Sequence, residues 1–437
     1  MIHNFLSSEI KENIWSVVLE YRTKRDNVLS YEEREKLREE IYQIKKSVID
    51  NLEKIKAKTI ANLTKNKIRV LLAKDDAEAH EIVAGLCREA RVILKSKSNI
   101  ADEINLHQAL IDKELVETDL GDFINQLLGE EDLHPVMPAF HIAPQRIADK
   151  IYQKFGRKIE VTPEAIAAFA REKIRKKIVE AEVGITGANA ITAEGQIIIL
   201  ENEGNASLVS RWPKRHLVIS GVEKLVPDLE AALKIVKASA VWGTGQDWPV
   251  YVSIISGPSQ TGDVQNKLVI GAQGAKEVYL ILVDNGRSKL IENGLGELLF
   301  CLNCGACLNF CPAFHNLGRG FGDKPTRHSQ NKDKNRVNSD GGGGGYLGSK
   351  GIIFAALSRG LLEAKKANAY ACTLCSTCFT NCPAKINLPE LMKIIRQKLN
   401  GAALATEENK KMIANIEKYG NPFGDLGGQP PKSLFCC

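Results

Sequence analysis

The residues Cys301–Pro312 read CLNCGACLNFCP, a run that places four cysteines directly ahead of a proline. The same spacing returns at Cys372–Pro383, which reads CTLCSTCFTNCP. Of the eleven cysteines in the chain, eight lie in these two motifs. A chain of 437 residues has room for a sizeable core, and thiols stay reduced in the cytoplasm, where the observations below lead us to expect this protein. The two motifs therefore predict metal ligands and not a disulfide framework.

The spacing C-x2-C-x2-C-x3-C-P is typical of bacterial ferredoxins that carry two [4Fe-4S] clusters. In that arrangement the first three thiolates bind one cluster, and the fourth turns away to the other. A structural zinc site is the alternative, but zinc needs two separated pairs of ligands and not a compact quartet. We therefore predict two [4Fe-4S] clusters with exchanged ligands, namely Cys301, Cys304, Cys307 and Cys382 for the first and Cys311, Cys372, Cys375 and Cys378 for the second.

The surroundings of the two motifs are predicted to be helical. The helix candidate GIIFAALSRGLLEAKKAN lies between the motifs, and LPELMKIIRQKL follows the second one. This pattern indicates an α-helical two-cluster ferredoxin domain over residues 295–400. Residues 327–345, RHSQNKDKNRVNSDGGGGG, cannot bury apolar surface and are predicted to be a disordered insert. Residues 401–437 form a C-terminal tail, in which Cys436 and Cys437 either bind metal, pair with a partner or fray.

Residues 67–294 show the pattern of an α/β domain. Short apolar runs such as IRVLLA, RVILKS, RHLVISG and VYLILV alternate with helical stretches and end at Gly, Asn, Asp or other polar residues. Continuous Ile and Val runs are typical of strands buried on both faces, in a sheet covered by helices. Residues 1–66 are predicted to be helical. A capping box at Ser30 and Glu33 begins a helix there that we expect to be exposed or to face a partner.

Polar residues follow three of the predicted strands, where sheet proteins commonly place ligand-binding groups. The stretches ENEGNASLV, SGPSQTGD and DNGR offer amides, hydroxyl groups and a guanidinium that suit a small anion. The alternative is that Gly, Asn and Asp only close the strands as turns. No G-x-G-x-x-G follows a strand, so no nucleotide or flavin site is predicted. We predict that the three loops meet at one end of the sheet and bind a small carboxylate or phosphate, with Arg287 as its charge partner, through Glu203, Asn205, Ser256, Thr261, Asp284 and Arg287.

Composition argues against several classes of function. The formal net charge is +6, but two clusters with their thiolates carry roughly −2 each, so the basic balance does not indicate nucleic-acid binding. The longest apolar runs are strand-sized, whereas a membrane-spanning helix needs roughly 20 apolar residues. The first residues, MIHNFLSSEIKENIW, lack a basic leader with an apolar centre. We therefore expect a soluble cytoplasmic protein without a membrane span.

A series of segments resembles, in order, the family of lactate-utilisation iron–sulfur proteins called LutB or LldF. The segments are SNIADEINLHQAL, VETDLGDFI, HPVMPAFH, GITGANAITAEGQIIILENEGNASLV, GVEKLVPDLEAAL, SIISGPSQTGDV and LVDNGRSKL, followed by CLNCGACLNFCP. The resemblance implies a LUD domain, related in fold to sugar-phosphate isomerases of the NagB and RpiA type and to CoA transferases. It implies that this domain is fused to the two-cluster ferredoxin domain.

The resemblance also implies a function and partners. We expect an electron-transfer subunit of a cytoplasmic complex that oxidises L-lactate to pyruvate, together with a LutA-like cysteine-rich subunit and a LutC-like LUD protein. One alternative is a subunit of another oxidoreductase complex, which handles a different hydroxy acid or passes electrons to a quinone or a ferredoxin. Another is a ligand-binding protein whose clusters sense the redox state. A sensor is expected to expose a labile cluster with an incomplete ligand set, and eight cysteines argue against that.

Overall fold

The computed structural model describes residues 5–130, 132–322 and 345–431. Residues 327–344 of the predicted insert lie outside the described residues, as do Cys436 and Cys437.

The N-terminal part of the chain is helical, as predicted, and consists of α1 Ser8–Val28, α2 Tyr31–Asp50 and α3 Leu52–Lys65. The capping box begins α2, because the Ser30 hydroxyl accepts a hydrogen bond from the backbone of Glu33 and the Glu33 carboxylate accepts one from the backbone of Ser30. The expectation that this helix is exposed is wrong for one of its faces. Ile14 and Ile41 are buried in one apolar core with side chains of both later parts of the chain. Burying a side chain of this size contributes roughly 1.5 to 3 kcal/mol.

The strands of the described residues form two sheets and a small hairpin. In chain order they are β1 Ile68–Ala73, β2 Val92–Lys95, β3 Glu114–Glu117, β4 Val183–Thr186, β5 Ala190–Thr192, β6 Ile197–Glu201, β7 Arg215–Gly221, β8 Leu225–Val226, β9 Tyr251–Ile255, β10 Gln260–Thr261, β11 Val269–Ile270 and β12 Glu277–Val283. The main sheet has the order β1-β12-β7-β4-β2-β3, and every neighbouring pair in it is parallel. The second sheet has the order β8-β5-β6-β9, and β10 pairs with β11.

Both faces of the main sheet are covered, as the continuous apolar runs predict. The helices of this part are α4 Asp76–Leu86, α5 Asn99–Glu103, α6 Leu106–Ala109, α7 Leu120–Leu128, α8 Pro144–Phe155, α9 Pro163–Glu180, α10 Asn205–Arg211, α11 Leu229–Thr244 and α12 Arg287–Glu292. Consecutive residues of β12 point to opposite faces, and both Leu280 and Ile281 are fully buried. Ile281 packs in a core with α4, α5 and α6, whereas Leu280 packs in a core with α3, α10 and the second sheet.

The strand order reverses at β2. The chain runs from β2 to β3 on one side, and β4 then pairs with the other side of β2. The loops that follow β2 and β4 therefore diverge at the carboxyl ends of the strands. Such a topological switch point is where open α/β sheets commonly form a ligand-binding crevice.

The part of the chain that carries the cysteine motifs is helical, as predicted. Its α-helices are α13 Ala306–Asn309, α14 Pro312–Leu317, α15 Gly348–Ser358, α16 Leu361–Lys366, α17 Thr377–Thr380, α18 Leu388–Gly401 and α19 Glu407–Tyr419. Ile353 of α15 and Ile395 of α18 are fully buried in the same core as Trp242 of α11. The cysteine motifs are thus packed directly against the α/β part.

Candidate metal centres and the adjoining cleft

The two cysteine motifs adopt the same local backbone. In the first, Asn303 and Gly305 have φ values of 63° and 77°; at the equivalent positions of the second, Leu374 and Ser376 have φ values of 55° and 64°. Left-handed backbone is unfavourable for leucine, and such strain is typical of ligand-holding loops. The proline after the first motif occupies the first turn of α14 and fixes the direction in which the chain leaves the last cysteine. The repeated spacing in the sequence is therefore a repeated loop in the structure.

Gly305 is required by a close contact with the α/β part. A Cβ atom at this position would lie 2.5 Å from Cε1 of His134, a distance that no side chain tolerates. His134 is buried, and its Nδ1 accepts hydrogen bonds from the backbone of Val136 and Met137 at 3.2 Å each. The HPVMPAFH stretch therefore holds the first cysteine loop in place.

The fold brings Cys382 of the second motif to the first motif. Burial, and then the charges of Cys382 and Cys301, raise the pKa of the Cys304 thiol to about 12. Burial likewise raises the pKa of Cys382 to about 11, and the charge of Cys301 adds to the effect. Cys307 is influenced by all three of these cysteines and also by Cys378. Cys382 is thus an electrostatic neighbour of the three leading cysteines of the other motif.

Cys311 of the first motif is likewise an electrostatic neighbour of the second motif. Burial raises the pKa of Cys311 to about 11, and the charges of Cys372 and Cys375 contribute to the rise. Cys378 has a pKa of about 12 because of burial and because of the charges of Cys372, Cys311 and Cys375. Cys375 is the exposed member of the set.

Within residues 5–130, 132–322 and 345–431, no group of three or more His, Cys, Asp or Glu side chains converges closely enough to hold a single metal ion.

The N-terminal helices contact the cysteine loops directly. Nε and Nη2 of Arg38 donate hydrogen bonds to the carbonyl groups of Cys382 and Phe379, each at 2.9 Å. Nη1 of Arg25 donates to Oδ1 of Asn381 at 2.7 Å. These bonds fix the end of the second motif, which carries Cys382, against α1 and α2.

Three buried lysines lie around the first motif. Lys45, Lys224 and Lys350 are exposed by only 2%, 9% and 7%. Lys45 donates to the carbonyl of Glu223, Lys224 donates to the carbonyl of Leu302, and Lys350 donates to Oδ1 of Asn303. Burial, and then the charge of Lys224, lower the pKa of Lys45 to about 7, although the charges of Glu223 and Cys301 act in the opposite direction.

Arg287 is fully buried between two carboxylates. Its guanidinium donates to both oxygens of Glu103 at 2.8 Å, and to Oε2 and Oε1 of Glu223 at 2.5 and 3.0 Å. Burial alone would raise the pKa of Glu223, but Arg287 holds that pKa far below its usual range. The prediction that Arg287 is the charge partner of a bound anion is therefore wrong, because its guanidinium already donates to the buried carboxylates of Glu103 and Glu223.

A cleft of about 260 Å³ opens at the carboxyl ends of β2, β4 and β7, which is the switch point of the sheet. Its walls come from the loop after β2, the loop after β4, the end of β7, helix α11 and the first cysteine motif. Lining residues that bear on its chemistry are Lys97, Asp119, Asn189, Glu203, Asn205, Lys224, Ser239 and Cys304. The cleft thus joins the α/β part to a cysteine of the first motif.

Glu203 and Asp119 form an acidic pair in the cleft. Oε2 of Glu203 accepts a hydrogen bond from the backbone of Leu120 at 3.1 Å, at the start of α7, where Asp119 is the N-cap. Enclosure of the carboxyl group, and then the charge of Asp119, raise the pKa of Glu203 to about 7.

Lys97 is the cation closest to this pair. Its Nζ is enclosed and makes no hydrogen bond in the described part of the protein, and the nearest carboxylate oxygens belong to Asp122 at 3.6 Å and Asp119 at 4.0 Å. The hydroxyl group of Ser239, on α11, is also enclosed without a hydrogen-bond partner among the described residues. An enclosed hydroxyl donor without an acceptor, such as that of Ser239, costs about 1 to 3 kcal/mol.

Only part of the predicted ligand site is assembled. Glu203 and Asn205 line the cleft, but Ser256, Thr261 and Asp284 do not. Ser256 is exposed beyond β9 of the second sheet, Thr261 donates to Asp263 in its own turn, and Asp284 accepts from the backbone of Gly286 and Ser288. The expectation that all three loops meet is wrong, because SGPSQTGD belongs to a different sheet and DNGR only closes a strand and starts α12. In both loops the polar side chains of Thr261 and Asp284 bond within their own turns.

Sequence reasoning missed Lys97, Asn189 and Ser239. The run RVILKS predicts a strand, and the polar residues that follow it could have indicated a ligand-binding loop. Ser239 lies in the middle of a helix, and nothing in its sequence context distinguishes it.

In the described part of the chain, no helix is long and apolar enough to cross a membrane.

Comparison with known proteins identifies both parts of the chain. The family model of the LUD domain matches residues 56–283, and that of the 4Fe-4S dicluster domain matches residues 297–386. A solved structure of a DUF162 family protein from Deinococcus radiodurans covers 53% of this chain and 97% of its own, with a TM-score of 0.30 and 11% identity. That score is too low to support an argument.

Curated relatives extend over most of the chain. Lactate utilization protein B from Bacillus velezensis is 33% identical over 402 residues, which are 90% of this chain and 76% of the relative. Lactate utilization protein B from Geobacillus thermodenitrificans is 34% identical with the same coverage. Uncharacterized electron transport protein YkgF from Escherichia coli is 30% identical over 398 residues, which are 90% of this chain and 77% of the relative. The chain therefore belongs to the family of proteins in which a LUD domain is followed by a 4Fe-4S dicluster domain, the family of Lactate utilization protein B.

Proposed function

We propose that this protein is the iron–sulfur electron-transfer subunit of a cytoplasmic complex that oxidises L-lactate to pyruvate. The family and its dicluster domain support an iron–sulfur electron-transfer role in lactate utilization. The observation that carries the electron-transfer role is that the charge of Cys382 acts on the first motif and the charges of Cys372 and Cys375 act on Cys311. The choice of lactate as the substrate is supported by the names of the relatives.

The residues present suit two [4Fe-4S] clusters. Each quartet contains thiols only, which is the ligand set of such clusters. Cys301, Cys304, Cys307 and Cys382 would hold the first cluster, and Cys311, Cys372, Cys375 and Cys378 the second. When bound, the two clusters together can take up the two electrons that one hydroxy acid releases, one electron each.

The buried charges around the first quartet support this assignment. Four buried cations, Lys45, Lys224, Lys350 and Arg287, face two buried carboxylates, Glu103 and Glu223, and Arg287 binds both carboxylates. Buried ammonium groups without a counter-ion are costly. A four-iron cube with its four thiolates carries roughly −2, which balances the cations that remain. The lysines therefore act as its counter-charge.

This arrangement predicts the effect of one lysine on the redox chemistry. Lys224→Met should lower the reduction potential of the first cluster by about 40 to 90 mV, because a buried positive charge favours the more negative, reduced state by on the order of 1 to 2 kcal/mol. Redox titration monitored by EPR spectroscopy measures the shift. Lys214→Met is the matched control, since Lys214 is exposed and precedes β7 at the opposite end of the sheet. Equal potentials in wild type and Lys224→Met would mean that the lysines are not the counter-charge.

Partners complete the proposal. We infer a cysteine-rich LutA-like subunit and a second LUD protein of the LutC type, because the relatives are named as the B component of a lactate utilization system. A complex that handles a different hydroxy acid, and passes electrons to a quinone or a ferredoxin, is the alternative.

The proposed function is tested in a mixture of this protein with both partners, prepared without oxygen. L-Lactate should bleach the visible absorption of the clusters, and pyruvate should appear in step with the electrons taken up. Reduction by dithionite is the control, because it shows whether the clusters can be reduced. Bleaching by dithionite but not by L-lactate would exclude lactate as the electron donor, and bleaching by another hydroxy acid in its place would support the alternative.

A further inference from the structure

The cleft at the switch point shares a wall with the first cysteine motif. Leu302, Asn303 and Cys304 line it together with the loops after β2 and β4. Cys304 is one of the cysteines that we assign to the first cluster. A molecule in the cleft would therefore lie beside the loop that carries Cys304.

The size of the cleft restricts its occupant. Drug-sized ligands occupy pockets of roughly 300 to 1,000 Å³. A volume of about 260 Å³ suits a smaller metabolite. The described residues around the cleft also lack the glycine-rich turn with which sheet proteins hold the pyrophosphate of a dinucleotide.

The polar groups of the cleft define the chemistry of the occupant. Nζ of Lys97 makes no hydrogen bond among the described residues, and its ion pairs with Asp122 and Asp119 are long, at 3.6 and 4.0 Å. The hydroxyl group of Ser239 has no hydrogen-bond partner among the described residues, and Oδ1 of Asn189 accepts from the backbone of Leu200 at 2.9 Å, which leaves Nδ2 of its amide as a further donor. A carboxylate supplies acceptor oxygens for such donors. Glu203 retains one carboxylate oxygen, Oε1, for which no hydrogen bond is described. It is suited to accept a hydrogen bond from a hydroxyl group.

We propose that the cleft binds a small 2-hydroxycarboxylate, with Lys97 and Asn189 holding its carboxylate and Glu203 accepting the hydrogen bond of its hydroxyl group. This inference rests on the proposed function and adds a substrate site to it. The subunit then takes part in holding the substrate and is more than a conductor of electrons. The backbone N–H of Leu120, at the start of α7, fixes the Glu203 carboxylate, and Asp119 caps that helix.

Binding to the anaerobically purified holoprotein tests this site without any need for turnover. Calorimetric titrations at pH 8, above the pKa of Glu203, compare L-lactate, pyruvate and inorganic phosphate. Lys97→Met should weaken the binding of both L-lactate and pyruvate by about 10-fold or more, because a charge-assisted hydrogen bond is lost. Glu203→Gln should weaken the binding of L-lactate more than that of pyruvate, since pyruvate lacks the hydroxyl group.

Two control variants match these substitutions. Lys214→Met and Glu194→Gln change exposed residues of the same types outside the cleft, and both should bind as wild type does. Unchanged affinities in Lys97→Met and Glu203→Gln, or tighter binding of phosphate than of L-lactate, would overturn the proposed site.

The outcome is separable from that of the proposed function. If wild type binds L-lactate in the cleft but the three-protein mixture is not reduced by it, the site stands and the lactate-oxidising function fails. If the mixture is reduced by L-lactate while Lys97→Met and Glu203→Gln bind it normally, the function stands and the cleft is not the site. Iron content should be the same in all variants, because none of these residues is a cysteine of either quartet.

Discussion

Arg287→Met should destabilise the protein by about 3 to 5 kcal/mol, the cost of removing one partner from a buried ion pair. The guanidinium binds Glu103 and Glu223 through both oxygens of each, and the arginine has no exposed surface. Without it, two carboxylates remain buried without their main donor. The loss arises from their desolvation and not from a missing contact with a ligand.

The measurement is the shift of the urea midpoint of the anaerobic holoprotein. Arg175→Met is the matched control, because Arg175 is exposed on α9 and should change stability by less than about 0.5 kcal/mol. The triple variant Arg287→Met, Glu103→Gln, Glu223→Gln should be less unstable than the single variant, since the uncompensated charges are gone. A midpoint for Arg287→Met that equals that of the control would show that the buried pair is unimportant, and a ligand role for Arg287 would have to be reconsidered.

The architecture of this protein could be predicted to a large extent from local patterns. Continuous apolar runs such as VYLILV predict a strand covered on both faces, and the structure buries consecutive residues of β12. Cysteine spacing predicts that the fourth cysteine of each motif lies near the other motif, and Cys382 and Cys311 are electrostatic neighbours of the opposite motifs. The exchange of cluster ligands itself stays a prediction. These properties depend on a few neighbouring residues and are therefore visible in the sequence.

The ligand site was less predictable because it depends on topology. Glu203 and Asn205 line the cleft as the predicted site required, but Arg287 and Ser256 follow strands whose loops lead elsewhere. The strand order β1-β12-β7-β4-β2-β3 determines which strand ends lie close together. No single segment of the sequence predicts that order. The pairing of Arg287 with Glu103 joins residues 184 positions apart, so no local pattern reveals it.

The packing of the N-terminal helices against the cysteine loops could also not be predicted from the sequence. The capping box at Ser30 predicts where α2 begins, but it carries no information on what α2 packs against. Arg38 reaches the carbonyl of Cys382, 344 positions away. A helix rich in charged residues thus supports a metal-ligand loop through its few buried positions.

We expect the fourth cysteine of each motif to be a ligand of the cluster that the other motif mainly holds. Cys311→Ser should remove or disrupt the second cluster and leave the first, while Cys382→Ser should do the reverse. Each variant should lose about half of the iron, because one four-iron cube lacks a ligand while the other keeps all four. Cys87→Ala is the control, since Cys87 is buried in the α/β part near Ile93 and should leave the iron content unchanged.

Lys224→Met distinguishes the two clusters in this experiment. Its shift in reduction potential marks the first cluster, which lies beside Lys224. In the Cys311→Ser background the shift should persist, because the surviving cluster is the first. In the Cys382→Ser background it should disappear.

The central claim, two four-iron clusters with exchanged ligands in one chain, is tested most directly by iron analysis with EPR-monitored redox titration of anaerobic wild type, Cys311→Ser and Cys382→Ser. We predict about eight irons per chain in wild type and about four in each variant, with the Lys224-sensitive signal retained in Cys311→Ser and lost in Cys382→Ser. Stoichiometric zinc with little iron, or a Lys224-sensitive signal that is lost in Cys311→Ser and retained in Cys382→Ser, would contradict the account.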